Sequence, residues 1–179
     1  IVAAGRGIDA FSGAVISGGI TNTGLIANTS ATVTGAAAVV FDAATLVGGL
    51  LNTGNITSSG SALQLANSAQ LQGGLTNTGS LIGGGNAGLY ITGFSTLSGL
   101  VNNSGYFAGI SLKSSGLIAN GINNAGVVSL ATAISIANNS TIAGGIVNSG
   151  TIHGNGNFGI SLGRTSALVG GVNNLAGGT

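Results

Sequence analysis

One phrase limits what this chain can fold into: Gly-apolar-x-Asn-x-Gly, repeated along its whole length. It occurs as Gly19-Ile20-Thr21-Asn22-Thr23-Gly24 and recurs around Asn52, Asn77 and Asn148, with looser copies centred on Asn103, Asn124 and Asn174. The seven anchors lie 30, 25, 26, 21, 24 and 26 residues apart. Counting backwards from each Asn gives a fixed apolar register beneath this uneven spacing. Fourteen positions before stand Ile8, Ala38, Leu63, Leu89, Ile110, Ile134 and Ile160; six before stand Ile16, Leu46, Leu71, Leu97, Ile118, Ile142 and Leu168. Positions twelve and two before, and four after, are apolar in the same way until Gly178, and the residue fifteen before is always Gly or Ala.

The length variation is confined to one corner, between the apolar residue after the Asn and the small residue that opens the next unit. A solenoid behaves this way, because each loop leaves the stack outward without disturbing its neighbours. Within the unit, apolar and polar residues alternate (Ala62-Leu63-Gln64-Leu65), the period of a strand with one buried face. Gly makes up 36 of 179 residues, and each interior Gly costs a helix about 1 kcal/mol relative to Ala, which removes helical repeats. The expected fold is therefore all-β. It is a parallel β-helix (β-solenoid), right-handed by the preference of parallel crossovers, with about seven coils of about 25 residues and three short strands per coil, and it spans residues 1–179 as one repeat domain. The anchors Asn22, Asn52, Asn77, Asn103, Asn124, Asn148 and Asn174 are expected to stack at one corner as a structural amide ladder. Asn and the Gly two residues later are expected there for their tolerance of left-handed backbone.

Phrases such as Ala14-Val15-Ile16-Ser17-Gly18-Gly19-Ile20-Thr21-Asn22-Thr23-Gly24 resemble the repeats of bacterial autotransporter passenger domains and large secreted adhesins. The resemblance covers nearly the whole chain. It implies a right-handed β-helix on or outside a Gram-negative cell, and this chain as a segment of a longer protein or a subunit of a filament.

The chemistry in the sequence is sparse. There are five charged side chains, one His and no Cys, and the net charge is +1, so neither a thiol or cofactor centre nor a nucleic-acid surface is expected. No apolar run is long enough for a transmembrane helix. Asp9 and Asp42 occupy different positions of the repeat, and His153 lies about four coils further on, so a carboxylate pair or a Ser-His-Asp relay is not expected. Gly83–Gly88 and Gly154–Gly159 spell the phosphate-loop pattern but open no helix, and they read as turns. The register points Phe11, Val39, Phe41 and Tyr90 outward, either as a contact patch for another chain or as a surface over which the longest corner loop, Ala27 to Ala36, folds. Thr23, Thr53 and Thr78 begin an outward Thr row of the kind ice binding needs, but Ser104, Ala125 and Leu175 end it.

These observations favour a non-enzymatic, structural or adhesive extracellular protein, self-associating end to end or laterally, or continuing in a longer chain, with surface glycans as further partners. The alternative is a glycan-binding or carbohydrate-active β-helix.

Overall fold

The computed structural model describes residues 1–30 and 36–179, which leaves the middle of the long corner loop outside the described residues. Among them the chain forms 26 short strands and no helix. Every strand pairing is parallel, and the strands make three sheets of 12, 7 and 7 members, three strands per coil over about seven coils. The position six before each Asn forms one seven-stranded sheet, running from Val15–Ile16 to Ala167–Leu168. The strand that ends in the Asn forms the other, from Ile20–Asn22 to Val172–Asn174. The strand after the Asn shares the 12-stranded sheet with the strand that opens the next coil, and the two are continuous at Val127–Ile136 and Thr151–Leu162.

The pairing follows the register expected from the sequence over most of the chain. Leu63 pairs with Leu89, Leu89 with Ile110, Ile110 with Ile134 and Ile134 with Ile160. Leu71, Leu97, Ile118 and Ile142 stack in the second sheet in the same way. These side chains form one continuous core along the axis, fully or almost fully buried except for Ile160 in the last coil, which is partly buried. Each buried Leu or Ile stabilises by about 1.5–3 kcal/mol relative to exposure, and because every coil repeats the column, the gain accrues coil by coil.

Coil two departs from the count. Val39, not Ala38, pairs with Ile8 and Leu63, and Phe41 pairs with Ala10 and Leu65. The cause is a shortened corner. In coil three the chain turns between the first and second sheets through two left-handed residues, Asn67 (φ 53) and Ser68 (φ 66), whereas coil two uses Ala43 alone (φ 49). Losing one residue slides the preceding strand by one, and in a strand a slide of one exchanges the two faces. The exchange puts Val39 and Phe41, fully buried, on the columns of Leu63 and Leu65; Ala38 and Val40 are buried as well.

The glycines serve two different purposes. The corner between the second and third sheets is often a Gly-Gly pair in the left-handed region, such as Gly48 (φ 100) and Gly49 (φ 81). The Gly two residues after each of the first six anchors is not left-handed, nor is any anchor Asn, which corrects the reason expected for both. That Gly is required by proximity: a Cβ on Gly54, Gly79, Gly105, Gly126 or Gly150 would stand 2.0–2.2 Å from the carbonyl oxygen of the equivalent Gly one coil earlier.

Candidate functional site

The seven anchor Asn side chains form one unbroken hydrogen-bonded chain. Nδ2 of each donates to Oδ1 of the next: Asn22 to Asn52 at 2.7 Å, Asn52 to Asn77 at 2.8 Å, Asn77 to Asn103 at 2.8 Å, Asn103 to Asn124 at 2.7 Å, Asn124 to Asn148 at 2.8 Å and Asn148 to Asn174 at 2.8 Å. The same nitrogen also faces two main-chain carbonyls. For Asn77 these are Gly79 at 3.3 Å in its own coil and Tyr106 at 3.1 Å in the next. Two N–H groups thus serve three acceptors, one of them shared between the two carbonyls. Carbonyls only accept, so this arrangement fixes which end of each amide is nitrogen and makes every amide point the same way along the axis.

From Asn22 to Asn148 the anchors are buried, where an amide lacking partners would be costly. Here the partners are complete, and the row is neutral and chemically saturated. At Asn174 the turn is two residues longer than in the preceding coil. Nδ2 of Asn174 donates to Gly178 O at 3.0 Å, and Thr179 occupies the place that Thr151 holds one coil earlier, accepting from Asn148 Nδ2. The break expected at Gly178 is therefore an insertion in the turn.

The four residues singled out as a contact patch are not brought together. Val39 and Phe41 face inward, because the short corner at Ala43 reverses their strand. Phe11 is 60% exposed, and Tyr90 is half-buried between Gln64 and Ser111 in the first sheet. The most exposed aromatic, Phe94 (71%), escaped the sequence reading. A signal was present. Phe94 stands at a turn position that holds Gly13, Ser68, Ser115, Asn139 or Thr165 in other coils, and it is the one large apolar residue in that column.

The ionisable groups are scattered. Arg6 donates to both oxygens of Asp9, at 2.8 and 3.0 Å, on the surface of coil one, where such a pair contributes about 0–1 kcal/mol. Asp42 accepts from Asn67 Nδ2 at 2.7 Å in coil three. His153 pairs with Ser129 near the start of the long strand Thr151–Leu162; within that strand the chain bulges between the pairs Leu130–Gly154 and Thr132–Phe158, leaving residues 155–157 unpaired in the ladder, while Gly83–Gly88 leaves the end of a strand as a turn. Among the described residues no group of three His, Asp or Glu side chains comes together. No helix is long and apolar enough to cross a membrane. A recess of about 200 Å³ follows the Gly-Gly corner past Gly18, Gly48 and Gly73, with no ionisable side chain in its walls. Comparison with known proteins finds no family model, no curated protein and no solved structure that matches this chain.

Proposed function

We propose that the protein is a structural, adhesive β-solenoid: a rigid element of an extracellular fibre, secreted or displayed on a bacterial surface, whose long faces make the contacts. The observation that carries this reading is the continuous Asn row with its parallel sheets. From coil to coil the anchor Asn side chains repeat the same amide-to-amide bond and the three parallel sheets run on, so the fold extends along one axis. The resemblance of the repeats to autotransporter passenger domains and secreted adhesins supports the location and the adhesive role. At the terminal coils the apolar columns are open, with Ile16 only partly buried and Val172 more than half exposed, and a further coil of the same chain or of a second copy would cover them. Electron microscopy of the purified chain with an adhesion assay on cells and abiotic surfaces tests the reading. Straight rods or fibres that retain surfaces are expected; a globular particle with no surface retention would refute it.

The same reading makes the protein a non-enzyme. Replacing Asp9, Asp42 or His153 by Ala is expected to leave assembly and adhesion unchanged, since one carboxylate is held by Arg6, another by Asn67, and His153 stands coils away from both. Hydrolysis of a polysaccharide that disappears in either Asp variant would overturn this and favour the carbohydrate-active alternative.

A further inference from the structure

The corner between the first and second sheets carries a hydrogen-bonded spine that runs through all the coils. Gly13 N donates to Ala43 O, Ala43 N to Ala66 O, Ser68 N to Gly93 O, Phe94 N to Ser114 O, Ser115 N to Asn138 O and Asn139 N to Arg164 O. Three of the five charged side chains lie on this one ridge: Asp42 in coil two, Lys113 in coil five and Arg164 in coil seven. Between them, in coil four, Phe94 projects with 71% of its surface exposed and a backbone φ of 63°. A bulky residue at positive φ is an outlier, and the strain costs on the order of 1–3 kcal/mol. Folding alone would be better served by the Ser or Asn found at this corner in neighbouring coils. Two coils away the ridge is interrupted, because coil two turns on Ala43 alone and is one residue short.

From these features we infer that the ridge is a self-pairing surface, on which a second copy docks side by side and antiparallel, with a two-fold axis at coil three. That axis sets Phe94 of each copy against the shortened corner at Ala43 of the other. It also brings Asp42 of each copy within one coil, about 5 Å along the axis, of Lys113 of the other, inside the reach of a lysine side chain. The order of the charges selects the direction. A parallel pair in register would place Asp42 on Asp42, Lys113 on Lys113 and Arg164 on Arg164, whereas the antiparallel pair, equally isologous and closed, sets Asp42 near Lys113. The five overlapping coils give a strip about 24 Å long and one corner wide, which buries well under the roughly 800 Å² per partner of a standard interface, so the pairing is weak. It involves coils one to five of each copy, and it stands whether or not the solenoid extends end to end.

Sedimentation velocity of the full chain from low to hundreds of micromolar, with small-angle scattering to give the particle's length, tests the inference. The expected result is a concentration-dependent dimer whose thickness grows while its length rises by only two coils, about 10 Å. Phe94→Asn should weaken dimerisation by about tenfold or more and leave the melting temperature equal or higher, because Asn accepts positive φ. Lys113→Asp should weaken it as well, and adding Asp42→Lys to Lys113→Asp should restore it. A strictly monomeric chain, association only by doubling of length, or a Phe94→Asn variant that dimerises like the parent would each overturn the inference. Of these, doubling of length would still leave the fibre reading standing.

Discussion

Replacing Gly79 by Ala is expected to unfold the middle of the solenoid, while the same replacement at Gly24 leaves the melting temperature unchanged or raises it. The two glycines hold the same place in the repeat, two residues after an anchor Asn, and neither has positive φ. What differs is the space around them. A Cβ on Gly79 would stand 2.0 Å from Gly54 O and 2.7 Å from the carbonyl carbon of Thr53, where ordinary contact begins at 3.4 Å. The previous coil cannot retreat by that distance without losing the bonds that hold it, from Ser80 N to Gly54 O at 2.9 Å and from Thr78 N to Asn52 O at 2.8 Å. A clash of backbone on backbone belongs with the exceptional single substitutions, on the order of 4–5 kcal/mol. Because solenoid stability passes between nearest neighbours, the loss should divide the rod at coil three. At Gly24 no atom lies within 4 Å, and Ala there only narrows the unfolded ensemble, a gain of about 0.4–1 kcal/mol. Thermal melts followed by circular dichroism separate the cases. Equal losses at the two sites would mean that the glycine is needed for its backbone freedom after all.

The pattern of what could be read in advance follows from what a sequence encodes directly. The columns through Leu63, Leu71 and Asn77 were legible because inward residues keep a constant distance from the anchor, and constant distance is visible in letters. Coil two broke the count at a corner, where one left-handed residue replaced two. The letters still held the clue, since Ala38 is small for a core column while Val39 and Phe41 are large for a surface. An aromatic and a valine fill the columns more completely than an alanine and a valine would, so the shortened corner keeps the core full. The motif glycine was legible as necessary, but the reason was not, because it lies in a carbonyl 25 residues earlier. Phe94 was passed over because strand alternation says nothing about turn positions, although it stands alone among Gly, Ser, Asn and Thr in its column. The direction of the amide row and its third acceptor lie in three dimensions only.

That third acceptor makes one isosteric change severe. In Asn77→Asp, one carboxylate oxygen keeps the bond donated by Asn52 Nδ2. The other replaces Nδ2 and meets Asn103 Oδ1, Gly79 O and Tyr106 O, three groups that can only accept. Asn77 is fully buried, so the ionised form loses water and gains repulsion, with an expected cost at neutral pH of about 3–5 kcal/mol. Protonation supplies one O–H to the same acceptors and removes the charge, so the folded protein holds the proton more tightly than the unfolded chain does. The folded-state pKa is therefore raised above the ordinary value of about 3.9. A raised acid pKa means that the native state binds more protons than the unfolded state in the interval between the two values. The variant is then closest to the parent below about pH 4 and loses stability steadily as pH rises toward the folded-state pKa, above which the deficit is constant. Asn77→Leu, which removes the bonds but adds no charge, should be destabilised by a similar amount at every pH. Denaturant midpoints of the three proteins from acid to neutral pH check the expectation. A pH-independent deficit in the Asp variant would mean that its carboxylate has found donors and that the row can reverse its polarity locally.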